Sequence, residues 1–265
     1  MSETIAQIRK ELSLLLPEQL DDFIRIHSGD DRGGVRALVA AAEKRKKNYL
    51  AELARLDAMR AFEKQYGTAY HLICGIDEAG RGPLAGPVVA GACILPKNCI
   101  LLHLNDSKKV SEKRREELFL AIQGKALAWS TGMADPQEID RLNILNATYL
   151  AMQRAIAQLS PQPDFLLADA VTIPDLSFPQ KALIHGDARS VSIAAGSILA
   201  KVTRDHLMLE YDRKYPGYGF AVHKGYGTRE HYDAIFQLGP CPIHRRSFLK
   251  NLEEHKTRRM NDHPL

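Results

Sequence analysis

The chain is poor in the residues that several common chemistries require. Its four cysteines, Cys74, Cys93, Cys99 and Cys241, include no C-x-x-C pair. That speaks against a zinc ribbon or a dithiol redox centre and leaves buried free thiols as the expectation. No apolar run approaches the roughly eighteen residues that a membrane-crossing helix needs. The opening Met1-Ser2-Glu3-Thr4 lacks the charged-then-apolar design of a secretory signal, so a soluble, cytoplasmic protein is expected. The histidines are scattered, with no H-E-x-x-H and no defensible Ser-His-Asp spacing. There is no internal repeat, coiled coil or low-complexity tract. Net charge is modest as well: +4, with a pI near 8.8, permits nucleic-acid binding without demanding it.

What is present divides into two textures. The 265 residues allow one domain of ordinary size plus an extension. Residues 1–68 read as a helical extension. Ile5, Ile8, Leu12, Leu15 and Leu16 recur at helical spacing, Pro17 can open a second helix, and Gly29 to Gly34 form a turn. A long helix is predicted from Val35 to about Tyr66. Its run Lys44-Arg45-Lys46-Lys47 is read as a solvated face, with phosphate contact the alternative.

From residue 69 the pattern becomes α/β. A strand hairpin is expected over Ile73 to Leu95, then a helix capped by Ser111 and a strand from Leu127 to Met133. A helix over Pro136 to Leu159 follows, then strands ending at Asp169 and Ile184. A helix from Ile193 to about Tyr215 opens with small residues. His244-Arg245-Arg246-Ser247-Phe248 can begin a C-terminal helical segment.

Chemistry concentrates in Cys74-Gly75-Ile76-Asp77-Glu78-Ala79-Gly80-Arg81-Gly82-Pro83. Two adjacent acids close an apolar strand, and glycines behind them allow a backbone to approach a ligand. Asp169 closes a second apolar strand, and Asp187 enters a helix. Each Asp alone can be a turn former or cap. Together, at the ends of α/β strands, they can form an all-oxygen site for a hard divalent cation. Strand alternation forbids Asp77 and Glu78 from facing one ion unless the backbone bends, for which Gly80-Arg81-Gly82 provides the means. Gly80-x-Gly82-x-x-Ala85 imitates a dinucleotide fingerprint, but the sequence behind it reads as strand rather than the helix that fingerprint requires, so that reading is rejected. The segment from Tyr215 to Thr228 mixes aromatics, glycines and lysine. It suits either base and sugar stacking or a glycine-rich loop with aromatics packed beneath it.

The stretch from Gly75 to Val88 is similar to the signature of the type 2 ribonuclease H family, specifically ribonuclease HII. The resemblance continues in Asn105 to Lys109, Ile139-Asp140 with Asn143 to Leu145, and Gly186-Asp187 with Ser192 to Ala195. Ser197 to Val202, Arg204-Asp205, Lys224 to Thr228 and His244 to Phe248 complete it. It covers residues from about 71 to 250, and Gly80-Arg81-Gly82 favours ribonuclease HII over ribonuclease HIII. Gly196 stands where the family more usually has alanine.

That resemblance implies a ribonuclease H-like fold: a five-stranded mixed sheet flanked by helices, in a catalytic domain over residues 69–265. It implies an endoribonuclease that cuts the RNA strand of RNA–DNA hybrids and DNA duplexes holding a single ribonucleotide, leaving 5′-phosphate and 3′-hydroxyl ends. Asp77, Glu78, Asp169 and Asp187 would hold Mg²⁺ or Mn²⁺ in a two-ion site. Gly80, Arg81 and Gly82 would meet the ribose 2′-hydroxyl, and Tyr226 would stack on the following deoxyribose. Lys108, Lys109 and the pair Arg245-Arg246 are candidates for phosphate contact. A monomer with no membrane association is expected. A DNA nuclease or strand-transfer enzyme on the same scaffold, or a catalytically silent hybrid-binding module, are the alternatives.

Overall fold

The computed structural model describes residues 3–250, which fall into two compact units that divide between Ala58 and Met59. In the first unit are α1 (Ile5–Leu14), α2 (Leu20–His27) and most of α3 (Gly33–Met59). Thr4 and Gln7 close a capping box on α1, satisfying two backbone N–H groups that the first turn leaves unpaired. Ile8, Leu20, Phe23, Val35, Val39 and Ala42 make its core. Half of the basic run ties these helices together. Arg45 donates to the carbonyls of Leu12 and Leu15 at 3.2 and 2.8 Å, and Lys46 pairs with Asp21.

The long helix expected as far as Tyr66 stops at Met59, and a separate α4 (Ala61–Tyr66) restarts after Arg60. The cause is packing within the second unit. Tyr66 stacks on Phe165 at 4.3 Å between ring centroids, Tyr70 lies against the same ring at 4.6 Å, and Phe62 joins that cluster. Glu63 accepts from Ser190 Oγ and from the Ser192 N–H, at 2.5 and 3.0 Å. The compact units therefore divide at 58/59, with α4 part of the second.

The second unit continues through β1 (Ile73–Ala79), β2 (Val88–Ile94), α5 (Glu112–Lys125), β3 (Ala128–Ala134), α6 (Pro136–Leu142) and α7 (Ile144–Ala157). It closes with β4 (Phe165–Asp169), β5 (Gln180–Leu183), α8 (Val191–Lys214), α9 (Phe220–His223) and α10 (Arg229–Leu238). The strands form one mixed five-stranded sheet in the order β3-β2-β1-β4-β5. β1–β2 and β2–β3 are antiparallel, whereas β4 runs parallel to both β1 and β5. The single helix predicted over 136–159 is two helices. Asn143 adopts φ 66°, and its side chain accepts from the N–H groups of Leu145 and Asn146 to start α7. After α10, the described residues hold only a 3₁₀ turn at Arg246–Phe248; the rest of the expected C-terminal helical segment lies outside them.

Strand alternation divides the sheet's two faces between two helices. Cys74, Ile76, Val88, Ala90, Ala92 and Ile94 pack with Ala147, Ala151, Met152 and Ala155 of α7. The opposite face carries Gly75, Asp77 and Gly91 and meets α8, whose first ten residues are all buried. Glycine on both sides brings helix and sheet unusually close. A Cβ on Gly75 would sit 2.0 Å from the Ser192 carbonyl carbon, and one on Gly91 would sit 2.2 Å from the Gly196 oxygen. Gly196 itself has no room for a methyl, with Gly91 O at 2.6 Å from such a Cβ. Glycine there thus allows the close approach. Since backbone atoms cannot step aside, Gly75→Ala should lower the unfolding free energy by about 3 kcal/mol. Trp129, in β3, reports the second unit by fluorescence in a urea titration; a loss under about 1 kcal/mol would show that the contact yields.

Candidate active site

Parallel pairing of β1 with β4 brings the acids together. The register that matches Ile76 with Ala168 sets Asp77 level with Asp169 at the carboxyl ends of neighbouring strands. Asp77, Glu78 and Asp169 line one cavity of about 260 Å³ with Gly80, Arg81, Gly82, Ser107, Lys108, Ser197, Lys201 and Tyr226. Asp77 and Glu78 thus share a cavity although both belong to a regular strand; the backbone turns at Gly80, φ 93°. Asp187 lies on the 3₁₀ turn at Gly186–Ala188, beside Asp106 and Asp169, and is not among the lining residues. Asp169 Oδ1 accepts from the Gly186 N–H at 2.6 Å, which ties that turn to the end of β4.

Burial and like charge dominate the electrostatics. Asp77 is only 6% exposed; burial, then the charge of Glu78, push its carboxyl well above the ordinary range, against a bond from Ser197. Burial also raises Glu78, partly offset by Arg81, whose Nη1 lies 3.2 Å from Glu78 Oε1. Asp187 is raised by burial and then by Asp106. Glu78 Oε2 is buried with no hydrogen-bond partner. An unpartnered buried carboxylate oxygen amid other acids is the donor set that a hard divalent cation satisfies. The oxygens are not drawn tight: among the described residues, only Glu3, Glu11 and His27 of the first unit bring three potential ligand atoms within 4.8 Å.

Of the candidate phosphate contacts, Lys108 lines the cavity, whereas Lys109 is exposed outside it and lies 4.0 Å from Asp106. Arg245 is fully buried and cannot reach a phosphate; Arg246, beside it, is exposed.

A family model described as Ribonuclease HII matches residues 74–251, and one described as Ribonuclease HII N-terminal domain matches residues 4–67. A ribonuclease HII of Lachnoclostridium phytofermentans is 51% identical over 95% of this chain and 99% of its own. One of Clostridioides difficile is 48% identical over 94% and 98%. Among solved structures, ribonuclease H2 of Pyrococcus horikoshii superposes with a TM-score of 0.57 at 27% identity, over 69% of this chain and 97% of its own. The chain belongs to the ribonuclease HII family. It is a hydrolytic endoribonuclease with the ribonuclease H-like fold, in a family that acts on RNA–DNA hybrids and typically depends on divalent metal.

Within this ribonuclease HII, two arginines have a role that the sequence reading did not give them: Arg204 entered only as part of a motif, and Arg245 as a candidate phosphate contact. Arg204 is 1% exposed and donates to the carbonyls of Pro87, Lys224 and Ala85 at 3.0, 2.9 and 3.1 Å. Arg245 donates to those of Gly86, Arg81 and Gly80 at 2.9, 2.9 and 2.6 Å. Burial, then the charge of Arg204, bring the Arg245 pKa down to about 9. The Gly80-Arg81-Gly82 turn is therefore held by the Arg245 guanidinium at the Gly80 and Arg81 carbonyls, while Arg204 ties Ala85 and Pro87 to Lys224. Gly80 has no room for a Cβ, which would meet Arg204 Nε at 2.0 Å. Ser197 and Lys201 were also missed as cavity residues. They face the acids from α8, Ser197 Oγ lies 3.0 Å from Ser107 Oγ, and Lys201 is held at 2.6 Å by Asp205.

A buried carboxyl with a raised pKa destabilises the fold once ionised, so its contribution worsens as pH climbs from the ordinary 3.8 through the folded value. With chelator present at pH 7, Asp77→Asn should melt a few degrees above wild type, on the scale of 2–4 °C per kcal/mol. The gap should close toward pH 4. A lower melting temperature for the variant at pH 7 would contradict this electrostatic reading.

Proposed function

We propose that Asp77, Glu78 and Asp169, with Asp187 as a fourth carboxylate, hold two divalent cations, Mg²⁺ or Mn²⁺, for cleavage of the ribonucleotide strand. The observation that carries this is Glu78 Oε2, buried and unpartnered in a cavity where burial holds both Glu78 and Asp77 above the ordinary carboxylate range. The all-oxygen set favours Mg²⁺ or Mn²⁺ over Zn²⁺, which prefers the nitrogen and sulfur ligands this cavity lacks. When bound, such cations activate water and stabilise the leaving 3′-oxygen, giving 5′-phosphate and 3′-hydroxyl ends. The protein's part is orientation. Ser197 fixes Asp77, the Gly186 N–H fixes Asp169, and Arg81 and Lys108 partly offset the negative charge near Glu78.

Substrate choice, in this reading, lies in the rim. The Gly80-Arg81-Gly82 backbone meets the ribose 2′-hydroxyl, the group that separates RNA from DNA. Tyr226 stands opposite, its Cε1 3.9 Å from where a Cβ on Gly82 would lie, and it is 46% exposed and free to stack on a sugar. A 2′-hydroxyl on the next sugar would crowd that ring, so the preferred substrate is a DNA duplex containing one ribonucleotide, cut at the RNA-to-DNA junction. Lys108 supports it by contact with a phosphate. The chemistry lies in the second unit, and the protein acts as a monomer in the cytoplasm.

Asp77→Asn and Asp169→Asn should each reduce Mg²⁺-dependent cleavage of a uniform hybrid at least 100-fold, with an all-DNA duplex as the uncut control; near-normal rates would remove the metal assignment. Tyr226→Ala should lower cleavage at a single embedded ribonucleotide about tenfold more than cleavage of a uniform hybrid. An equal loss on both substrates would place junction reading elsewhere.

A further inference from the structure

Beneath Tyr226 lies a chain of histidines that the chemistry above does not use. His231 and His244 are 0% and 3% exposed. His231 Nδ1 is 2.9 Å from the Tyr226 carbonyl oxygen, and its Nε2 is 3.0 Å from His244 Nε2. His244 Nδ1 receives the Cys241 N–H at 2.9 Å and the Cys241 thiol at 3.1 Å. The Cys241 carbonyl, 3.3 Å from the same nitrogen, is its more distant neighbour.

These contacts admit one proton pattern. A carbonyl only accepts, so His231 Nδ1 carries the hydrogen and its Nε2 is the acceptor. His244 must then donate from Nε2, which leaves its Nδ1 free to accept from Cys241. Both rings are neutral in this pattern. An added proton on either ring breaks it, because two N–H groups would face each other across 3.0 Å or a third would face the Cys241 donors. The titratable groups around the pair accord with neutrality. His223 of α9 stacks on His231 at 4.4 Å, Tyr218 and Cys241 lie against His244, and Arg245 follows it in the chain. The nearby carboxylate is Glu230, which faces His223. Burial is the largest cause holding both rings down to a pKa of about 4.

His223 applies the same restraint one residue earlier. Its Nδ1 accepts from the Gly225 N–H at 3.1 Å, and its Nε2 donates to the Tyr218 carbonyl at 2.7 Å. The loop from Lys224 to Gly227 is thus gripped on both sides of Tyr226. The ring itself is half exposed, with the Arg204 guanidinium 5.9 Å from its centroid, so its place is set by its backbone together with that one cation.

We propose that His231 and His244 are positioning residues for Tyr226: in the neutral pair the His244 Nε2–H bond orients the His231 ring that donates to the Tyr226 carbonyl, and a proton on His231 Nε2 breaks that orienting bond. This inference rests on Tyr226 reading the junction. The quantity to follow is the ratio of cleavage at a single embedded ribonucleotide to cleavage of a uniform hybrid. Titration of the catalytic acids affects both substrates and cancels in that ratio.

In the full-length enzyme, Tyr226→Ala should lose the ratio at every pH. His244→Leu removes the donor to His231 and should lower the ratio at least threefold at pH 7. His244→Gln, whose amide can donate or accept, should restore it. Wild type should lose the ratio between pH 6.5 and 4, as the pair protonates, while His244→Gln holds it. If Tyr226→Ala loses the ratio and folded His244→Leu does not, the histidine proposal fails and the junction reading survives; if Tyr226→Ala keeps it, both fail. Should His244→Leu not fold, ¹⁵N NMR of labelled histidines decides. A neutral Nδ1–H His231 and Nε2–H His244 at pH 7 support the proposal, and a charged ring or the opposite tautomers overturn it.

Discussion

Everything in the catalytic unit follows from how near α8 lies to the sheet. Glycines at 75, 91 and 196 leave no side chain at the points where the helix crosses β1 and β2, so main chain packs on main chain there. Only at that separation does Ser197 reach Asp77 and Lys201 reach the cavity. The arrangement also accounts for the burial of Asp77, since a helix this close excludes the water that would otherwise solvate the carboxylate. Stability is set against function at one point: the contact that desolvates the acids is also the contact that holds the fold.

The rim obeys a second rule, that buried cations can serve as main-chain ligands. Arg204 and Arg245 have no carboxylate partner in their hydrogen bonds, and their donors are used on six carbonyl oxygens. Backbone bonds complete the frame. The Leu84 N–H donates to Gly225 O, the Gly86 N–H to Ile243 O, and the Arg245 N–H to Leu84 O. The turn that would meet ribose and the loop that carries Tyr226 are therefore parts of one hydrogen-bonded object. A rigid frame suits recognition of a single hydroxyl, where a misplacement of 1 Å is as harmful as a lost contact.

How much of this could be read in the sequence depends on the range of the interaction. Asp77 with Glu78, and Asp169, stood out as candidates because they close apolar strands, as Leu166-Leu167-Ala168-Asp169 shows, whereas Asp187 lies on a 3₁₀ turn; the mixed sheet was implied by the family resemblance. The break at Asn143 was not legible, since a positive φ outside glycine leaves little trace in hydrophobic periodicity. Nor were the roles of Arg204 and Arg245, because composition places arginine at the surface and only the tertiary structure shows which ones are enclosed. Tyr218 and Phe220 are buried beneath the glycine-rich loop while Tyr226 is open. The packed-aromatic reading therefore describes Tyr218 and Phe220, and the stacking proposed above concerns Tyr226.

The central claim is that the acids at the carboxyl ends of β1 and β4 are one cation site. Equilibrium binding of Mn²⁺ to the free enzyme, followed by the paramagnetic signal of the unbound ion, tests it most directly. The account predicts saturable binding that weakens at least tenfold in both Asp77→Asn and Asp169→Asn. Isotherms for the two variants that overlay the wild-type curve would contradict it.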